Sequence, residues 1–243
     1  MSIIHTSDKI FWHDYINFYE TFFYNRNFNR IAEIGVLRGN SIRWLLERFP
    51  DAQVFGGDIL PYQIDWPNDP RFFFMQFDQG DINSLRNFFS QSKFDLIIED
   101  GSHEPKHQSL ALIEGLKNLA PNGIYILEDI HTSHPNFKSK SQNNSIIGNS
   151  LTVLLAIDHY KKINQPFSDY RINLISKNSH FSEEDIIFIA NTVESIHLYK
   201  RTKLPDYCYN CNSIDFSYDT LRCQCGVEVF NDADSMSFVL KIK

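Results

Sequence analysis

The chain has 243 residues, with 30 Asp and Glu against 23 Lys and Arg, and this formal net charge of −7 argues against a general polyanion binder. Hydrophobic residues make up 42% and aromatics 14%, enough to bury a sizeable core and far from the composition of a disordered chain. No run approaches the roughly eighteen uncharged apolar residues of a membrane span, and Met1 to Trp12 lacks the basic start and apolar stretch of a signal peptide, so a cytoplasmic protein is expected.

Asp8 to Tyr24 places Phe11, Tyr15, Phe18 and Phe22 at helical spacing, which predicts an amphipathic helix packed on a main domain. Short apolar runs follow at Arg30 to Glu33, Gln53 to Asp58, Phe72 to Gln76, Phe94 to Asp100 and Gly123 to Asp129, several of them closing on acidic residues. Helical patterns at Ser41 to Arg48, Ile82 to Phe89 and Glu104 to Leu119 lie between them. This alternation predicts an α/β fold: a Rossmann-like doubly wound sheet with helices on both faces. The polar stretch from Ile130 to Ser150 reads as a lid over the carboxyl edge of that sheet. Leu151 to Ile163 reads as a helix, and Ser182 before Glu183, Glu184 and Asp185 as the N-cap of another. Ser195 to Lys203 and Ser237 to Lys243 alternate as strands that could pair in antiparallel fashion around a cysteine-bearing segment.

Directly after the first strand stands Glu33-Ile34-Gly35-Val36-Leu37-Arg38-Gly39-Asn40-Ser41, whose two glycines let backbone approach a ligand before a helix begins. The second strand ends in Asp58, where an acidic residue would bond the hydroxyls of an adenosine ribose. A third glycine and a Gly-Lys-Ser are missing, so a cofactor without phosphates fits better than a dinucleotide. The two motifs resemble those of the class I S-adenosylmethionine-dependent methyltransferases. The resemblance implies a seven-stranded sheet, with Gly35 and Gly39 bordering the methionine part of S-adenosylmethionine, Asp58 on its ribose, and Phe77-Asp78-Gln79 beside its adenine. Glu33, Ser41 and Ile59 complete the expected cofactor contacts, with Asp78 and Gln79.

Asp100-Gly101-Ser102-His103 is followed 28 positions after Asp100 by Glu128-Asp129. Each group ends an apolar strand, so three carboxylates are expected to face one crevice. They would repel one another, and Mg2+, which takes oxygen ligands and leaves positions for water or substrate hydroxyls, would resolve the repulsion. His103, with a reference pKa of about 6.5, stands where a general base could take the proton of a metal-activated hydroxyl. His107 and His131 are expected in supporting or surface positions.

The stretch Phe94 to His103, with Pro121 to Ile130, resembles a narrower group: the metal-dependent sugar O-methyltransferases of bacterial natural-product and surface-glycan pathways, including macrolide-sugar enzymes. The likeness spans roughly Ile31 to Ser133, with departures at Glu99, Asn122, Phe77 and the His134-Pro135 turn. It implies Asp100, Glu128 and Asp129 as magnesium ligands and His103 as the base.

Cys208-Tyr209-Asn210-Cys211 and Cys223-Gln224-Cys225 give a CxxC and a CxC eleven residues apart, a spacing suited to a tetrahedral structural Zn2+. A zinc-ribbon nucleic-acid module, or a methyltransferase acting on RNA, is the competing class. Residues 201–243 carry five basic and six acidic side chains, a net −1, where a phosphate-tracking surface should be basic. The expected organisation is an N-terminal helical segment (1–29), a methyltransferase domain (30–203), a four-cysteine insert (204–230) and a final strand (231–243). The expected acceptor is a sugar or nucleotide-sugar, as in capsule biosynthesis; a phenolic diol fits the same metal logic, and a homo-oligomer remains open.

Overall fold

The computed structural model describes residues 7–137, 148–177, 179–231 and 233–243. In chain order the elements are α1 (Asp8–Phe11), α2 (Tyr15–Phe23), β1 (Arg30–Ile34), α3 (Asn40–Arg48), β2 (Gln53–Asp58), β3 (Phe72–Gln76), α4 (Ile82–Phe89), β4 (Phe94–Glu99), α5 (Pro105–Asn118) and β5 (Leu119–Leu127). After a short 3-10 turn at Ile130–Ser133 come α6 (Ser150–Lys162), α7 (Asp169–Ser176), α8 (Glu183–Thr192), β6 (Val193–Lys200), β7 (Phe216–Ser217), β8 (Arg222–Cys223) and β9 (Met236–Ile242).

Seven strands form one sheet in the order β3-β2-β1-β4-β5-β9-β6. The first five are parallel, and β9 runs antiparallel to both of its neighbours. This is the mixed sheet of the class I methyltransferases, and the expected pairing of the last two long strands is present, with Ile196 opposite Leu240.

Alternation along the central strands feeds two cores. Phe94 and Ile97 of β4 and Tyr125 and Leu127 of β5 point into the core beneath α4, α5, α6 and α8. Leu96, Ile98, Ile124 and Ile126 point into the opposite one, with Tyr15, Tyr19 and Phe23 of α2 and Ile42 and Leu45 of α3. Both faces are therefore covered. Each such side chain fully buried contributes about 1.5–3 kcal/mol of transfer free energy.

Local chemistry sets the helix ends. Ser182 and Asp185 cap α8 reciprocally, as do Asn149 and Thr152 for α6, and Pro105 opens α5 where its missing N–H costs nothing. The single N-terminal helix expected over Asp8 to Tyr24 is instead two helices, because Asp14 adopts a left-handed conformation at φ 58° and turns the chain between α1 and α2. Helix α7 was not foreseen. About half of the expected lid, residues 138–147, lies outside the described residues. No helix among the described residues is long and apolar enough to cross a membrane.

Candidate active site

The carboxyl edge of the parallel strands holds the site, because the strand ladder continues one step beyond each strand. Asp100 N donates to Ile34 O at 2.9 Å, Glu128 N to Glu99 O at 2.9 Å, and Gly35 N to Gly57 O at 2.8 Å. These bonds draw the glycine turn and the two acidic groups side by side. Gly35 sits at φ +91°, and a Cβ there would lie 2.0 Å from the carbonyl oxygen of Asp100, so only glycine fits between β1 and the end of β4.

A cavity of about 710 Å3 opens at this edge. Gly35, Ser41, Asp58, Ile59, Asp78 and Gln79 line one part of it, and Asp100, His103 and Asp129 another. Asp58 organises the glycine turn: one carboxylate oxygen accepts the N–H of Val36 at 2.8 Å and of Leu37 at 2.9 Å, and the other accepts Leu60 N–H at 2.9 Å. Gln79 bridges β3 to the acidic loop, donating to Glu99 at 2.6 Å and accepting the Ser102 N–H at 2.9 Å. Glu99 is fully buried, and that burial pushes its carboxyl up to about 7. Gly39 lies at φ +69° directly before α3, against Trp66.

Asp100, His103 and Asp129 can each present a ligand atom within 4.8 Å of the others. His103 Nε2 lies 3.9 Å from Asp100 and 3.7 Å from Asp129, while its Nδ1 is buried without a hydrogen-bond partner. Both His103 (φ 56°) and Asp129 (φ 50°) occupy the left-handed region, a local strain typical of functional loops, and Thr132 holds them together by donating to His103 O at 2.8 Å. Burial opposes the charge on His103, but Asp129, Asp100 and Glu99 outweigh it and raise its pKa. Burial likewise opposes ionisation of Asp129, yet His13, His103, His131 and the Tyr15 hydroxyl hold its carboxyl well below the ordinary range. Tyr15 donates to Asp129 at 2.8 Å from a fully buried position. His107 also borders the cavity, 2.9 Å from the Ser102 hydroxyl.

The expectation that three free carboxylates face the crevice is corrected in one respect. Asp100 and Asp129 line the cavity, but Glu128 is 1% exposed and lies behind it with Glu33, which is fully buried. The ammonium of Lys9, carried by α1, stands among them: 2.5 Å from Asp100, 2.7 Å from Glu128 and 3.5 Å from Glu33. Burial disfavours a charge on Lys9, but the three carboxylates overcome it and hold the pKa well above the ordinary lysine value. Lys9, Tyr15 and His13 were not foreseen, since no motif ties the N-terminal helices to strand-end acids roughly ninety residues or more away.

The four cysteines converge as expected, with Sγ atoms within 4.8 Å of one another and Cys208–Cys225 and Cys211–Cys223 separations of 3.6 and 3.4 Å. The β7–β8 hairpin brings Cys223 to the pair Cys208 and Cys211. Trp12, Cys208, Cys223 and Val229 form a separate small core, and Tyr209, between the first two cysteines, lines the cavity.

Comparison with known proteins agrees with this architecture. The chain is 30% identical over 142 residues to an 8-demethyl-8-(2-methoxy-α-L-rhamnosyl)-tetracenomycin-C 3'-O-methyltransferase of Streptomyces olivaceus, a match covering 54% of this chain and 36% of that protein. It is 29% identical over 137 residues to the mycinamicin VI 2''-O-methyltransferase of Micromonospora griseorubida, covering 53% and 34%. The fold superposes on the MycE methyltransferase of the mycinamycin biosynthetic pathway, solved with Mg and SAH, with a TM-score of 0.60 at 21% identity, over 94% of this chain and 48% of MycE. The chain thus spans half or less of each of these relatives. A model of the FtsJ-like methyltransferases matches residues 15–181, well over half of the chain, from α2 past the acidic strand ends to the segment between α7 and α8. On that match and this sheet order, the chain belongs to the FtsJ-like methyltransferase family.

Proposed function

We propose that the chain is a Mg-dependent O-methyltransferase that moves the methyl group of S-adenosylmethionine to a sugar hydroxyl, on a nucleotide-activated sugar for a bacterial capsule or related glycan. The observation that carries this reading is the clustering of Asp100, His103 and Asp129 within 4.8 Å on the wall of a cavity that also reaches the Gly35 turn. The names of the relatives, which are sugar O-methyltransferases, and the Mg and SAH held by MycE support it.

The residues present fit these groups. Gly35, Gly39, Ser41, Asp58, Ile59, Asp78 and Gln79 would hold S-adenosylmethionine, with Glu33 beneath them. Asp100, Glu128 and Asp129 offer only oxygen donors, the preference of Mg2+. When bound, the ion supplies a Lewis acid that lowers the pKa of an acceptor hydroxyl. His103 Nε2, directed at the two cavity-lining carboxylates, takes the hydroxyl proton as the oxygen attacks. Bound S-adenosylmethionine would supply the methyl group, the new O–CH3 bond replacing the S–CH3 bond, whose electron pair would stay on the sulfur of S-adenosylhomocysteine. The cation would also oppose the carboxylates that favour the imidazolium, keeping His103 able to accept a proton.

The same reading makes residues 30–203 the cofactor-binding domain and assigns a structural Zn2+ to Cys208, Cys211, Cys223 and Cys225. Four thiols in this compass match the soft-donor, closed set of a structural zinc site. Incubation of the full chain with S-adenosylmethionine and a panel of nucleotide sugars, a phenolic diol and an RNA, with Mg2+ added or omitted, tests the proposal by mass spectrometry. A methylated sugar formed only with Mg2+ is the expected result. Methylation independent of the ion, or confined to a phenolic diol or an RNA, would overturn the assignment.

A further inference from the structure

The ammonium of Lys9 and a divalent ion held by Asp100, Glu128 and Asp129 require the same oxygens. Lys9 Nζ lies 2.5 Å from Asp100 Oδ2 and 2.7 Å from Glu128 Oε1, charge-assisted contacts that use the carboxylates assigned to the ion. Lys9 is itself 3% exposed, so water does little to screen it. Its third neighbour, Glu33 at 3.5 Å, is more distant and takes no part in the metal assignment.

The backbone that carries Lys9 is anchored on the cysteine module. Phe11 stacks on Tyr207 with ring centroids 4.1 Å apart, Trp12 meets Tyr209 edge to face at 4.6 Å, and Asp206 N donates to Phe11 O at 2.8 Å. Arg201, the residue after β6, lies over the Trp12 ring at 5.0 Å and donates to Trp12 O and to Val229 O, so it ties the residue that ends α1 to the module. The module thereby helps to place a cation in the acidic cluster, on the wall of the cavity that Gly35 also lines.

We infer that Lys9 is a positioning residue that sets the metal affinity of the site: a tethered cation that competes with the divalent ion for Asp100 and Glu128, presented by the cysteine module through Phe11 and Trp12. The inference rests on the metal assignment in the proposed function. Binding of the ion draws Asp100 and Glu128 away from Lys9 and leaves it the longer contact to Glu33, so the hold on α1 weakens. Removing the ammonium leaves its carboxylate partners without that counter-charge and raises their attraction for a divalent ion.

The test is Mn2+ binding to the zinc-loaded full chain, read by electron paramagnetic resonance, for the wild type and Lys9→Met. Coupling between close charge pairs predicts that Lys9→Met binds Mn2+ about tenfold or more tightly than the wild type. Equal or weaker binding by the variant overturns the competition while leaving the metal reading intact, whereas no Mn2+ binding by either protein overturns both. A second measurement uses the wild type alone, in case the variant does not fold. Amide exchange of residues 8–13 should quicken when Mg2+ is added, and unchanged or slower exchange in that segment overturns the inference.

Discussion

Two glycines with nearly the same backbone torsion separate the cost of conformation from the cost of contact. Gly35 lies at φ +91° and Gly226 at φ +89°, but a Cβ at Gly35 would meet Asp100 O at 2.0 Å and Asp100 C at 2.6 Å, whereas one at Gly226 would meet nothing within 4 Å. Either alanine carries roughly 1–2 kcal/mol for placing an L-residue in the left-handed region. Gly226→Ala stops there. In Gly35→Ala the end of β4 must retreat by about 1.4 Å to restore an ordinary contact, which strains the Asp100 N–Ile34 O bond of 2.9 Å and adds at least about 1 kcal/mol. The total is at least about 2–3 kcal/mol, a large part of the roughly 5–15 kcal/mol that stabilises a typical domain. Asp100 moves with the strand end, and a displacement of about 1 Å at a reacting centre can cost about a hundredfold in rate. Urea denaturation and calorimetric titration with S-adenosylhomocysteine measure both effects. Gly35→Ala losing no more stability than Gly226→Ala, with cofactor affinity unchanged, would refute the reasoning.

His103→Ala should keep S-adenosylhomocysteine affinity and lose about a hundredfold or more in turnover; full activity in a single-turnover assay would remove the base assignment. Glu33 is fully buried, and burial pushes its carboxyl up to about 7 from 4.5. An acid raised in the folded state contributes stability that is complete below the unfolded value and lost as pH rises through the folded one, here about 3 kcal/mol in all. Glu33→Gln should therefore flatten the fall in melting temperature between about pH 5 and pH 8, and parallel profiles for variant and wild type would contradict this. Cys211→Ser should lower the zinc content measured by mass spectrometry from one ion per chain towards none and speed amide exchange across residues 204–230; unchanged zinc content would show that this thiol is not a ligand.

The sheet was legible because its strands are apolar runs closed by acids: β2 and α4 appear at their expected bounds, and β4 differs by one residue. The cysteine cluster was legible from spacing alone. Four features were not. Asp14 breaks the N-terminal helix through a positive φ that aspartate tolerates and that no apolar spacing reveals. Helix α7 buries only Ile172 within its eight residues and so lacks a stripe to read. The partner of Lys9, Asp100, is 91 positions away, and an ion pair of that sequence separation leaves no local pattern. Tyr15, read only as core, also donates to Asp129, a function visible only once α2 is packed under the β5 edge.

The placement of the cysteine module follows from topology. Strand β6 runs antiparallel to β9, as β5 does, so β6 is parallel to β5 and ends at the same edge as the acidic strand ends. Strand β9 begins at that edge. Any segment inserted between them must project beside the cavity, which is why Tyr209 reaches its wall. The N-terminal segment arrives there by an independent route, since α2 packs along the core face of the central strands and α1 precedes it. Both segments flank the sequence that carries the glycine turn and the acidic motifs, and both meet over it, through Phe11 and Tyr207, Trp12 and Tyr209. A change in the cysteine module therefore has two routes to the site: directly, through Tyr209 on the cavity wall, and through α1, whose Lys9 meets Asp100 and Glu128.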